Sequence, residues 1–169
     1  LRLYQDEQLS LFHLYSLQEG LQKALRKQVW LKSGAYLVIE PTEALTVIDV
    51  NTGKYTGKKT AKETIRAINL EAAERIGEEL RLRNLSGIVL VDFIDTTDDT
   101  ANEELLLAMR RIVAADPVKT TVVDMTALHL MELTRKKISR PLHEQAALLF
   151  QKSSTFKSSE EKAKSEGRK

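Results

Sequence analysis

The chain's 169 residues suffice for one domain with a sizeable core, and 42% hydrophobic with 30% charged residues is an ordinary globular composition. A formal net charge of +2 permits nucleic-acid binding without arguing for it, and the lack of cysteine excludes disulfides, thiolate nucleophiles and zinc–sulfur centres. No apolar run approaches the roughly 18 residues of a membrane span, and the opening LRLYQDEQ has no secretory pattern, so a cytoplasmic setting is expected. The start at Leu1 without methionine raises the expectation of a piece of a longer protein.

Taken in order, residues from about Leu9 to Gln28 carry Leu14, Leu17, Leu21 and Leu25 at helical spacing, with Gln18, Glu19, Lys23 and Arg26 facing solvent. A short strand at Val29–Leu31 and a turn at Lys32–Gly34 lead into strands Tyr36–Glu40 and Leu45–Asn51. Their short connection through Pro41, Thr42 and Glu43 predicts antiparallel pairing. Trp30 and Tyr36 read as core. After the lysine-rich loop Asn51–Thr60, Thr60 and Glu63 form a capping box that starts a helix with an apolar stripe of Ile65, Ile68, Ala72, Ile76 and Leu80. Glu71/Arg75, Arg75/Glu79 and Glu79/Arg83 are expected as pairs on its exposed face, and Arg81 and Arg83 as surface residues.

Asn84, Ser86 and Gly87 end that helix. Ile88–Ile94 is the most apolar segment and reads as a central strand covered on both faces. The acidic loop Asp95–Thr100 precedes a helix from Asp99 to Ala115 with Leu105, Leu106, Met109, Ile112 and Val113 inward, stopped by Asp116-Pro117. A strand at Thr120–Val123 follows, then expected helices over Leu128–Lys137, bearing Arg135, Lys136 and Lys137, and over Pro141–Lys152. The Ser, Lys and Glu beyond Ser153 have little to bury and predict disorder. The fold class is α/β, a mixed sheet flanked by helices, in three parts: helical residues 1–28, a core over 29–150 and a tail over 151–169.

Two apolar runs, TEALTVIDVN and GIVLVDFID, each deliver an aspartate at a strand end. A stranded carboxylate beside a core is costly, so the pair needs a partner. Alternation puts Asp49 and Asn51 on one face and separates Asp92 from Asp95. Two carboxylates with an amide suit Mg²⁺, with Mn²⁺ as an alternative, whereas no histidine pair offers zinc spacing. The other reading has both aspartates capping turns or meeting a lysine. Lys54, Lys58 and Lys59 could hold phosphates beside a metal or simply be solvated. His13, His129 and His143 read as isolated, and aromatics at 5% are too few to expect a base-stacking platform.

The blocks TEALTVIDVNTG, NLEAAERIGEELRLRNLSGIVLVDFID and MELTRKK, in that order, closely resemble the catalytic core of the ribonuclease E/G family, from about Val29 to Lys137. The resemblance implies a deoxyribonuclease-I-like fold. It further implies Mg²⁺-dependent endonucleolytic cleavage of single-stranded RNA in RNA processing and decay, leaving 5′-phosphate and 3′-hydroxyl ends. Asp49 and Asp92 fall on the family's metal-binding aspartates and Asn51 on the asparagine that supports them.

Lys119 occupies the place of an arginine that helps sense a 5′-monophosphate. Ala35 stands where a second glycine is usual, and His129 where glycine is common. The S1 domain that clamps RNA, most of the ribonuclease-H-like subdomain and the zinc-sharing cysteine pair have no counterpart here, so no zinc is expected. The implied partners are single-stranded RNA and further copies of the chain. A catalytically incompetent RNA-binding or assembly module is the alternative expectation.

Overall fold

The computed structural model describes residues 3–6, 8–53, 60–96 and 98–148. Six strands form one mixed sheet: β1 (Gln28–Trp30), β2 (Tyr36–Pro41), β3 (Leu45–Asn51), β4 (Gly87–Asp92), β5 (Thr120–Met125) and β6 (Leu130–Arg135), in the order β1-β2-β3-β4-β6-β5. Every neighbouring pair is antiparallel except β3 and β4, which run parallel. A parallel pair needs a crossover, and α3 (Ala61–Leu82) supplies it. The fold is therefore α/β, and its topology is compatible with a deoxyribonuclease-I-like subdomain.

α3 begins with the expected capping box, Thr60 accepting from the Glu63 N–H while the Glu63 side chain returns to the Thr60 backbone. α4 (Asp99–Ala114) starts on Asp98, whose carboxylate accepts from the Thr100 N–H. Both helices share one core with one sheet face: Leu37, Ile39, Ile48, Val50, Val89, Val91, Met131 and Leu133 meet Ile68, Ala72, Ile76, Leu80, Leu105 and Met109. Gly77 lets the helices approach closely, since a Cβ there would stand 2.2 Å from Ile112 Cγ2.

The opposite sheet face is not covered among the described residues. β4 alternates, with Val89 and Val91 buried, Ile88 exposed and Leu90 half-buried, so the expected two-sided burial is corrected to one-sided. Trp30, expected in the core, is 60% exposed on that open face, and Tyr36 is half-buried beside it.

The stretch expected as a helix over Leu128–Lys137 is instead strand β6, inserted between β4 and β5. Its burial alternates in the manner of a strand, with Met131, Leu133 and Arg135 inward. Arg135 is thus no member of a surface basic cluster: its guanidinium grips Asp116 and reaches Asn84 Oδ1 and the Leu85 carbonyl. Glu79 and Arg83 also depart from expectation. Both are buried, and Glu79 is held between Arg75 and Arg83 rather than lying on an exposed face.

The single helix expected over Leu9–Gln28 is two, α1 (Leu11–Leu14) and α2 (Leu17–Ala24), broken where Ser16 takes a φ of 48°. Leu14 and Leu17 remain exposed, and only Ala24 of these helices is buried. Residues 142–148 form a final helical stretch, within the span expected over Pro141–Lys152. The tail over 151–169 lies outside the described residues.

Candidate active site

The parallel β3–β4 pair ends its strands at the same edge, and the register places Asp49 directly beside Asp92. Sites in α/β sheets form at such carboxyl ends. Asn51, two residues on and on the same face, donates from Nδ2 to Asp49 Oδ2 at 2.7 Å. The amide thereby fixes one carboxylate and keeps its own oxygen for a further contact. The same row continues sideways: Val38 of β2 lies opposite Asp49, and Leu130 of β6 opposite Asp92.

Among the described residues the electrostatics are those of two carboxylates without a basic partner. The sheet strips part of the hydration from Asp92, and Asp49 and then Asp95 repel its charge, so its pKa is raised. Among the described residues neither Asp49 nor Asp92 pairs with a lysine or arginine, and Asp92 caps no turn. Two adjacent carboxylates without a counter-charge among the described residues could hold a divalent cation. Among the described residues no group of three or more His, Asp or Glu could hold a metal, so the protein offers few ligands. The oxygens of Asp49 and Asp92 are the donors that a hard divalent cation could use here, with waters completing its shell.

Asn69, which the sequence did not single out, and Glu71, expected instead to pair with Arg75, hold the loops around this edge. Asn69 of α3 is buried; its Nδ2 donates to the Ile94 carbonyl at 2.8 Å and its Oδ1 accepts from the Ile94 N–H at 3.1 Å. It therefore pins the chain two residues beyond Asp92. Glu71, two residues further on, accepts from the N–H groups of Lys32 and Ser33 at 2.7 and 3.3 Å and fixes the β1–β2 turn. The block NLEAA carries both residues, and their matching roles became visible only with the helix docked.

The structure does not gather every expected residue. Lys119 is exposed and precedes Thr120, which pairs with Arg135 at the end of the sheet away from Asp92. Lys54, Lys58 and Lys59 lie outside the described residues. Ala35 is fully buried without a positive φ, so it asks nothing unusual of the backbone. His129 adopts a φ of 60° in the turn from β5 to β6, a conformation that favours glycine, and that turn delivers Leu130 beside Asp92.

The family model described as "Ribonuclease E/G family" matches residues 1–138. The chain belongs to the ribonuclease E/G family. It is 44% identical over 140 residues to Ribonuclease G of Haemophilus influenzae, covering 83% of this chain and 28% of that protein. It is 42% identical over 127 residues to Ribonuclease G of Escherichia coli K12, covering 75% and 26%. With Ribonuclease E of a Synechocystis species it shares 40% over 138 residues, covering 82% and 20%. The chain thus spans between a fifth and three tenths of the length of these ribonuclease E/G relatives. Among the described residues no helix is long and apolar enough to cross a membrane.

Proposed function

We propose that this chain carries the catalytic centre of an endoribonuclease that cuts single-stranded RNA in RNA processing and decay, with Asp49 and Asp92 holding Mg²⁺ and Asn51 orienting Asp49. The observation that carries the reading is the in-register Asp49–Asp92 pair on parallel strands, with the Asn51 amide on Asp49. The names of the relatives support ribonuclease chemistry.

When bound, the cation would polarise the scissile phosphodiester and lower the pKa of a water. The chain's own share is positional. Asp49 and Asp92 supply two hard oxygen ligands from rigid strands, and their adjacent negative charges give the site its preference for a cation. Asn51 holds Asp49 in a single orientation, the role that partners of metal ligands play elsewhere. Asn69 keeps the loop after β4 in place. The open sheet face leaves the carboxylates accessible to an extended strand of RNA, and hydrolysis would leave 5′-phosphate and 3′-hydroxyl ends.

The test is cleavage of a labelled single-stranded RNA by the chain with and without Mg²⁺ or Mn²⁺. Metal-dependent products that vanish in Asp49→Asn and Asp92→Asn are expected. Cleavage that persists in both variants removes the assignment. RNA bound but left intact by the unaltered chain favours the assembly-module reading instead.

A further inference from the structure

Beyond the carboxylates, the open sheet face bears an aromatic pair. Trp30 and Tyr36 lie opposite each other on β1 and β2, with ring centroids 5.1 Å apart and planes tilted by 56°. Tyr36 in turn lies opposite Asn51 on β3, so one cross-strand row runs Trp30, Tyr36, Asn51. Directly opposed residues project to the same face, and neighbouring strands are about 4.8 Å apart. The rings therefore begin one strand away from Asn51 and end about two strands away, on the face that Asp49 and Asp92 share.

A tryptophan that is 60% exposed contributes little to the core it was expected to fill. Half-buried Tyr36 lies beside it, and half-buried Val38, two residues on and on the same face, stands opposite Asp49. A preassembled aromatic pair, with the Trp30 ring exposed, next to a phosphodiester-cleaving centre has a specific chemical complement, a nucleobase, because every base presents a π-face whatever its sequence.

We infer that Trp30 and Tyr36 form a base-stacking subsite that seats one nucleotide of a single-stranded RNA beside the Asp49–Asp92 centre. The inference rests on the nuclease reading for its substrate class, and the experiment separates the two. The subsite reads no hydrogen-bonding edge, so it positions the strand without selecting a base. It also supplies a contact that does not depend on phosphate charge.

Trp30 is the chain's one tryptophan, so its fluorescence reports the subsite directly. The full chain is titrated with a decaadenylate and, separately, with an abasic decamer of equal charge, at moderate salt. Decaadenylate is expected to quench Trp30 and to bind about ten-fold tighter than the abasic strand, the scale of one stacked base. Measured by anisotropy of labelled strands, Trp30→Leu should erase that ten-fold difference while Trp30→Phe keeps most of it.

Equal affinity for the two strands, or no quenching at the highest strand concentration, overturns the subsite. So does a chain that self-associates with Trp30 already shielded from acrylamide, because the face then belongs to a second copy. If base-dependent quenching persists while Mg²⁺ produces no cleavage, the nuclease reading fails and the subsite stands. If RNA is cut and binding is blind to bases, the subsite alone fails.

Discussion

Asn51 Nδ2 donates to Asp49 Oδ2 at 2.7 Å across two positions of the same strand face, and that bond limits which way the carboxylate can turn. Asn51→Ala frees Asp49 and should weaken Mg²⁺ binding by about 10- to 100-fold, as loss of a ligand's supporting partner commonly does. Asn51→Ser keeps a shorter donor and should fall between. Calorimetric titration of Mg²⁺ gives the comparison, and an Asn51→Ala affinity equal to the unaltered chain's would deny the amide its orienting role.

Asp92 titrates upward for reasons that can be separated. Burial acts first, then the charges of Asp49 and Asp95. Asp49→Asn removes the larger of the two charges, so the Asp92 carboxyl should titrate at lower pH in that variant, as followed by carbon-13 NMR without metal. The stability consequence has a definite sign. A carboxyl whose folded pKa lies above its unfolded value binds protons more readily in the folded state. Stability from this group therefore falls as pH rises from the unfolded value of 3.8 through the folded one. Asp49→Asn should flatten that slope.

Asp116 has the opposite sign. Burial pushes its carboxyl up, but hydrogen bonds from Arg135, the Val118 N–H and Thr120 outweigh it, and the net pKa is lowered. Its stabilisation is fully present above the unfolded value of 3.8 and is lost as pH falls through the lower folded value. The side chains of Arg135 and Asp116 are 3% and 2% exposed, so removing one partner strands the other. Arg135→Ala should cost about 3–5 kcal/mol by urea denaturation at pH 7. A loss below about 1 kcal/mol would mean that the pair behaves as a surface bridge.

Asn69 tests the support of the site rather than the site itself. Its amide makes both hydrogen bonds to Ile94. Asn69→Ala leaves a buried N–H and carbonyl unpaired, a cost of about 1–3 kcal/mol for each stranded group. Because Ile94 lies just beyond Asp92, cleavage and Mg²⁺ affinity should fall as well. Asn69→Asp, which keeps the acceptor for the Ile94 N–H and loses the donor, should recover only part of the stability. Unchanged amide exchange at Ile94 in Asn69→Ala would show that the loop holds itself.

Most of the site was legible in the sequence, because period-two alternation assigns Asp49, Asn51 and Asp92 to faces before any fold is known. Asp49 and Asp92 were expected together, but the parallel register that sets them side by side was not legible, since it depends on how α3 crosses the sheet. β6 was misread for a physical reason: LMELTR presents leucines and methionine at spacings that also suit a helix, and only the slot between β4 and β5 decides. Glu79 and Arg83 looked like ordinary i,i+4 surface charges, and nothing local shows that they bury together. Trp30 was read as core, whereas the edge strand leaves it exposed on the face that is open among the described residues. Asn69 and Glu71 act through backbone groups 25 and 39 residues away, contacts that no spacing rule reaches.

The two turns flanking the site edge bear their backbone strain differently. Gly53 follows Asn51 with a φ of 57°, and a Cβ there would stand 2.3 Å from the Gly34 carbonyl oxygen. Gly53→Ala thus meets a left-handed φ, worth about 1–2 kcal/mol, and a backbone clash that only movement of Gly34 or of the β3 end can relieve. It should destabilise the fold and disturb Asn51 together. His129 presents the converse. It already carries an exposed side chain at a φ of 60°, and its backbone N–H donates to the Thr126 carbonyl. His129→Gly removes left-handed strain of about 1 kcal/mol or more but adds backbone freedom to the unfolded chain worth about 0.4–1 kcal/mol. The net change should be a small gain, with cleavage unaffected if the imidazole takes no part in chemistry. Thermal denaturation of both variants settles the comparison: a stabilised Gly53→Ala, or a His129→Gly losing more than about 1 kcal/mol, would show that these φ values do not carry the strain assigned to them.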